Sequence, residues 1–222
     1  MDGSNPCDTP LENNSKLSKN DGPQTEAKKM ENVDLQKRYQ ELVGCLMYLM
    51  VSTRPDIAFA IGFLSRFTAN PGQKHWKALK SVLRYLNGTR EYGVHLGGKI
   101  SNAMPIIVGY ADADFASDVF TRRSTSGYAF GIKGIDEKFQ SLTSWRSCIQ
   151  KNISVSTVEA ELKAAHEALK EAIALRRLME DLQFPQHEPT IIYEDNTGTI
   201  FLTKNQIRSN RTKHTDISYN FI

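Results

Sequence analysis

Three acidic residues, Asp112, Glu161 and Asp195, occupy positions where carboxylates could perform chemistry. Asp112 follows an apolar run in a predicted strand, where a charged group is costly to desolvate unless something pairs with it. Glu161 lies on a predicted long helix and, unlike its acidic neighbours there, has no lysine one turn away. Asp195 follows a short predicted strand, and ligand-binding groups gather at the carboxyl ends of parallel strands.

Converging carboxylates repel one another unless cations lie between them. Hard oxygen ligands suit Mg²⁺ or Mn²⁺, and two such ions can activate water and stabilise the leaving oxygen of a phosphodiester. The sequence has no Gly-x-Ser-x-Gly motif and no Gly-x-x-x-x-Gly-Lys-Ser/Thr loop. Structural roles remain open: a solvated strand end for Asp112, a solvent-edge position for Glu161, and helix N-capping for Asp195.

Periodicity and turn residues predict the elements that position these acids. Three strands are predicted first, then a long helix capped by Ser156, a fourth strand and the start of another helix, over residues 105–112, 124–132, 139–146, 157–181, 190–194 and 196–198. Three consecutive strands favour an antiparallel meander, and a helical crossover favours a parallel fourth strand. The predicted fold class is α/β with a mixed sheet.

Three regions follow from composition. Residues 1–36 contain no aromatic residue and few aliphatic ones, so they are predicted to form a disordered linker. Residues 37–96 have helical periodicity, including a helix opened by a capping box over 53–56. Residues 104–222 hold the predicted sheet and the three acids.

The net charge is +3, with the basic excess outside the linker. Lys77, Lys80 and Arg84 form a basic stripe on one predicted helix, which is either a solvated face or a phosphate-contacting surface. A second basic segment near the end of the chain contains Lys204, Arg208, Arg211 and Lys213. Both are candidate nucleic-acid contacts.

The composition, with 40% hydrophobic and 24% charged residues, is typical of soluble globular proteins. No apolar run approaches the roughly 18 residues that a membrane-spanning helix needs, and the first residues lack a secretory signal. The three cysteines are odd in number and form no Cys-x-x-Cys pair. We therefore expect an intracellular protein, cytoplasmic or nuclear, without a membrane partner.

Several motifs resemble the polymerase–RNase H junction of copia-type LTR-retrotransposon Pol polyproteins, and the resemblance covers about residues 37–222. The motifs occupy residues 39–49, 53–57, 83–89, 109–116, 123–128, 156–161, 193–196 and 213–217. The resemblance implies an RNase H-like domain that cuts the RNA strand of RNA–DNA hybrids with two Mg²⁺ or Mn²⁺ ions. It places the family's catalytic and metal-binding acids on Asp112, Glu161 and Asp195, and identifies residues 37–96 as a helical remnant of the polymerase connection region.

The resemblance also implies a departure from the family. The family has a fourth metal-coordinating Asp after a further strand, and nothing before Ile222 matches it. We therefore expect an RNase H-like fold without its last strand, impaired activity, and self-association through an exposed strand edge. The expected partners are an RNA–DNA hybrid and the rest of the Pol polyprotein. Two alternatives remain open: a catalytically silent nucleic-acid-binding module and a nonfunctional transposon-derived fragment.

Overall fold

The computed structural model of the chain describes residues 4–12, 17–97, 104–133 and 139–204. The chain divides into two compact units, Met1–Val94 and His95–Ile222. The first unit is helical, and the second is built around a β-sheet. Within the described ranges, no helix is long and apolar enough to cross a lipid bilayer.

In the described part of the first unit there are four α-helices, with short 3₁₀ turns before the first, between the second and third, and after the third. These helices are α1 (Glu26–Glu31), α2 (Val33–Ser52), α3 (Ala58–Leu64) and α4 (Gln73–Gly88). Tyr39, Val43 and Leu46 form the buried stripe of α2, at the spacing of an amphipathic helix. They pack with buried residues of α3 and α4 into one hydrophobic core. The Tyr39 hydroxyl donates to the Leu64 carbonyl at 2.8 Å, which satisfies the polar end of that buried side chain.

The structure differs from the predicted disordered linker over residues 1–36. Residues 19–21 and 26–31 are helical, and α2 already begins at Val33. Leu17 packs against the core of the first unit, and Lys74 of α4 pairs with Asp21 at 2.6 Å. The His75 ring lies 3.0 Å from the Ser18 carbonyl. These contacts join residues far apart in sequence, so local composition does not reveal them.

The predicted capping box over residues 53–56 is replaced by an ion pair. Arg54, which is 4% exposed, donates to both carboxylate oxygens of Asp56 and to the carbonyl and hydroxyl oxygens of Thr89. The chain enters α3 through a 3₁₀ turn over Pro55–Ile57. Burial alone would raise the pKa of Asp56, but hydrogen bonds from Arg54 and Tyr85 outweigh it and lower that pKa.

In the residues described, the second unit holds a four-stranded mixed sheet, as predicted. Its elements are β1 (Ile106–Asp114), β2 (Thr125–Lys133), β3 (Phe139–Ile149), α5 (Thr157–Asp181), β4 (Ile191–Tyr193) and α6 (Thr197–Lys204). The first three strands form an antiparallel meander, and β4 pairs in parallel with β1. The order β3-β2-β1-β4 leaves β4 at one edge of the described sheet. The mixed α/β class and the strand directions are therefore confirmed.

Helix α5 lies on one face of this sheet because its inward side consists of small residues. Ala160, Ala164, Ala168 and Ala172 are all buried and lie at helical spacing. Two of them pack with Ile107, Ala111 and Phe130 of the sheet. The other two pack with Ala113 near the end of β1. This packing brings the first turns of α5 close to the end of β1, where Asp112 lies.

Candidate metal centre

The structure brings Asp112, Glu161 and Asp195 together. One carboxylate oxygen from each lies within 4.8 Å of those from the other two. Asp112 and Asp195 are exposed, whereas Glu161 is only 7% exposed. We call these three residues the acidic cluster. It combines one buried carboxylate with two that face solvent.

The strand pairing explains how two of these acids meet. Tyr110 of β1 and Tyr193 of β4 are direct register partners in the parallel pair. Asp112 and Asp195 each follow two residues later, and alternate residues of a strand share a face. The two aspartates therefore project from neighbouring strands at the same level.

Glu161 reaches the cluster from α5. The neighbouring Ala160 and the nearby Ala164 pack on Ala113, which holds this turn of the helix against the end of β1. The Ala113 N–H also donates to the Glu161 carboxylate. One backbone group of β1 thus positions a side chain of α5 beside Asp112.

A buried glutamine anchors the start of α5, and sequence analysis did not identify it. Gln150, which is 6% exposed, donates through Nε2 to the Ser126 hydroxyl and the Ala160 carbonyl, both at 2.9 Å. Its Oε1 accepts from the Ser154 hydroxyl at 2.7 Å. Gln150 therefore links β2, the loop before α5 and the residue adjacent to Glu161. A polar residue after a strand gives no local signal of this role.

The environment of Glu161 disfavours its charged form. Burial, together with the negative charges of Glu194, Asp112 and Asp195, raises the pKa of Glu161 to about 7. The Glu161 Oε2 atom is buried and has no hydrogen-bond partner among the residues that the structure describes. A buried oxygen of this kind beside two exposed carboxylates is a donor set suited to a hard divalent cation.

Glu194 is a further acid at this site that sequence analysis missed. It is half-buried between the exposed Tyr193 and Asp195. Its Oε1 accepts the Asn196 N–H at 3.1 Å, and burial raises its pKa. Its strand position gave a signal: the side chain alternates with Tyr193 and so lies on the side of Ile192, which packs against the core.

The structure does not agree with two of the purely structural roles considered above, N-capping by Asp195 and a solvent-edge position for Glu161. Helix α6 is capped by Asn196, whose Oδ1 accepts the Thr199 N–H at 2.9 Å, so N-capping does not explain Asp195. Glu161 is buried rather than at the solvent edge. Ser156 does cap α5 as predicted, since its hydroxyl accepts the Glu159 N–H at 3.1 Å.

The predicted basic contacts differ in their surroundings. Lys77 and Lys80 are exposed on α4 in the first unit, and Lys204 is exposed at the end of α6 in the second. Arg84 is half-buried, and its Nε donates to the Asn5 carbonyl at 2.7 Å, so part of its guanidinium is already engaged. The other three predicted contacts lie outside the described residues: Arg208, Arg211 and Lys213.

Comparison with known proteins identifies the origin of the chain. No protein-family model matches it. It is 43% identical over 222 residues to the retrovirus-related Pol polyprotein from transposon TNT 1-94 of Nicotiana tabacum, covering 100% of this chain and 16% of that protein. It is 36% identical over 184 residues to the corresponding polyprotein from transposon RE2 of Arabidopsis thaliana, covering 83% and 12% respectively. These similarities support the derivation of the chain from a copia-type retrotransposon Pol polyprotein.

The chain spans only a small part of the length of these two relatives. It is also 47% identical over 137 residues to secreted RxLR effector protein 161 of Plasmopara viticola, covering 62% of this chain and 90% of that protein. The similarities support a retrotransposon-derived protein and do not favour the alternative of a nonfunctional fragment.

Proposed function

We propose that the second unit of this Pol polyprotein chain is an RNase H-like domain that hydrolyses the RNA strand of RNA–DNA hybrids. The proposal rests on the acidic cluster, whose three carboxylate oxygens lie within 4.8 Å of one another. It is supported by the antiparallel meander, the α5 crossover and the parallel β4, which together deliver these acids to one end of the sheet.

Asp112, Glu161 and Asp195 would hold Mg²⁺ or Mn²⁺. When bound, two such ions supply an activated water and stabilise the leaving oxygen of the phosphodiester. The chain contributes the positioning: the Ala113 N–H orients Glu161, and Gln150 fixes the first turn of α5. The two exposed aspartates leave the other side of the cluster open to a phosphodiester.

Binding of the hybrid would use lysines that project into solvent. Lys77, Lys80 and Lys204 are exposed and offer charge to backbone phosphates. Such contacts release counterions, so binding should weaken steadily as salt is added. The remainder of the Pol polyprotein is the proposed physical partner of the chain.

The decisive experiment measures cleavage of a hybrid whose RNA strand carries a fluorescent label, with Mg²⁺ or Mn²⁺. We expect slow, cation-dependent cleavage by the 222-residue chain. Asp112→Asn should reduce it by more than about 100-fold, since loss of a supporting group alone costs about 10–100-fold. The matched control is Asp114→Asn, which removes the same charge from an exposed position two residues along β1 and should retain cleavage.

Fluorescence anisotropy with the same hybrid separates the second candidate function. A chain that binds the hybrid with equal affinity in the wild type and in Asp112→Asn, without cleaving it in either, would be a silent nucleic-acid-binding module. That result would overturn the ribonuclease proposal. Equal cleavage by the wild type and Asp112→Asn would overturn the assignment of the site.

A further inference from the structure

Glu194 lies on the α5 side of the end of β4. Ile192, two residues earlier, packs against the core that contains Ala168 and Ala172 of α5. Tyr193 and Asp195 are both exposed, so the alternation of the strand continues through this segment. Glu194 therefore approaches the acidic cluster from the side on which Glu161 lies, whereas Asp195 projects from the other side.

Glu161 and Glu194 each have one carboxylate oxygen whose burial no hydrogen bond compensates. Both Oε2 atoms are buried, and neither has a hydrogen-bond partner within the described ranges. Glu161 is more than nine-tenths buried, with 7% of its surface exposed. Among the charges that act on Glu161, that of Glu194 has the largest effect, ahead of those of Asp112 and Asp195. Buried carboxylate oxygens without partners, on two residues whose negative charges repel each other, are unfavourable unless a cation lies between them.

A purely structural role explains only one of the two oxygens of the Glu194 carboxylate. Its Oε1 accepts the Asn196 N–H and so supports the turn before α6. A glutamine would supply that acceptor equally well and would bring no charge into a half-buried position. The Oε2 atom is buried, has no hydrogen-bond partner among the described residues and is not needed for the turn.

We propose that Glu194 is a fourth carboxylate of the metal centre, and that it binds a divalent cation together with Glu161 on the α5 side of β4. The cation pairs with the two oxygens that lack a partner, next to the acidic cluster. This inference rests on the proposed metal centre. It assigns a role to a residue outside the set of three that sequence analysis predicted.

The test is Mn²⁺ binding by the full chain at pH 8, measured by isothermal titration calorimetry without any nucleic acid. Glu194→Gln keeps the oxygen that accepts the Asn196 N–H and removes the charge. We expect it to weaken Mn²⁺ binding by at least about tenfold. The matched control is Glu188→Gln, which removes the same charge from an exposed position before β4 and should bind Mn²⁺ as the wild type does.

The outcomes separate this inference from the proposed function. If Asp112→Asn abolishes Mn²⁺ binding but Glu194→Gln binds Mn²⁺ like the wild type, the centre stands and the role of Glu194 is wrong. If the wild type does not bind Mn²⁺, both are wrong. Should Glu194→Gln fail to fold, the ¹³C resonance of the Glu194 carboxyl in the wild type decides. It should shift on addition of Mg²⁺ while that of Glu188 does not, and equal behaviour of the two would overturn the inference.

Discussion

Tyr110 and Tyr193 stack on each other across the parallel strands β1 and β4, with ring centroids 5.0 Å apart and ring planes at 25°. Both rings are roughly half exposed, on the face of the sheet opposite the alanine-lined contact with α5. Each tyrosine comes two residues before an aspartate of the acidic cluster, Asp112 or Asp195. The stack therefore stabilises the register that sets the two aspartates side by side.

The two tyrosine rings should contribute jointly to the free energy of unfolding. Aromatic pairs contribute about 0.5–1.5 kcal/mol beyond the area they bury. In a double-mutant cycle with Tyr110→Leu and Tyr193→Leu, urea unfolding should give a coupling energy in that range. A coupling energy near zero would mean that the stack has no energetic role in holding the register.

The raised pKa of Glu161 predicts how the stability of the second unit depends on pH. The pKa is about 7 in the folded chain against an ordinary value of 4.5. Between these values the folded state binds more protons than the unfolded state, so the free energy of unfolding falls as pH rises through this window. A difference of this size corresponds to at most about 3–4 kcal/mol.

The measurement compares wild type with Glu161→Gln in EDTA, so that titration of other groups cancels. A Trp76→Phe background leaves Trp145 of β3 as the fluorescence probe of the second unit. Glu161→Gln should gain stability relative to wild type between pH 4.5 and pH 7, and Mg²⁺ at pH 8 should stabilise only the wild type. A difference that does not change with pH would show that Glu161 titrates normally.

Much of the second unit could be predicted from sequence because its signals are local. Strand alternation, turn residues and the Ser156 cap each act over a few neighbouring residues. The handedness of crossover connections then limits how the strands can be arranged. These rules make Asp112, Glu161 and Asp195 candidates for one cluster, and the resemblance to copia-type Pol polyproteins then selects them.

The remaining features depend on contacts between residues distant in sequence. The 3₁₀ turn over Lys19–Asp21 is held by Lys74 and His75, more than fifty residues away from their partners Asp21 and Ser18. Gln150 looks like any polar residue after a strand until its hydrogen bond to Ala160 is known. Composition predicts that residues 17–31 would fold weakly alone, but it does not reveal what these residues pack against.

The first unit should depend strongly on Arg54. The Arg54 side chain is 5% exposed and donates to Asp56. Removal of the guanidinium would leave the Asp56 carboxylate without its main partner. Breaking a buried ion pair lowers the free energy of unfolding by about 3–5 kcal/mol. Because the Asp56 side chain is partly exposed, the loss for Arg54→Met should lie near the lower end of this range. Arg54→Lys should recover less than half, since an ammonium cannot reproduce the forked contacts to Asp56 and Thr89.

Urea unfolding followed through Trp76 fluorescence tests this dependence in a Trp145→Phe background. The control is Lys74→Ala, which breaks the ion pair with Asp21 at a lysine that is 72% exposed. Such pairs contribute at most about 1 kcal/mol. A loss for Arg54→Met no larger than that for Lys74→Ala would contradict the structural importance of the buried pair.

Gln150 is uncharged, but we expect it to affect metal affinity because it holds the start of α5 next to Glu161. Gln150→Leu keeps most of the side-chain volume but removes the donor to Ala160, adjacent to Glu161. It also leaves the Ser126 hydroxyl without that donor, at a cost of about 1–3 kcal/mol. The start of α5 is then held to β1 mainly by small alanine contacts, so Glu161 loses its fixed position. We expect Mn²⁺ affinity to fall by about 10–100-fold, the usual effect of losing a group that supports a metal ligand.

General destabilisation could lower affinity without any change of position, so the control must match the loss of stability. Leu175→Ala removes a half-buried side chain from the opposite end of α5, where it packs against the core. Its stability should fall by an amount similar to that of Gln150→Leu, while its Mn²⁺ affinity stays within about twofold of the wild type, because a folded centre binds independently of global stability. Equal losses of affinity in the two variants would show that Gln150 supports the fold and does not position Glu161.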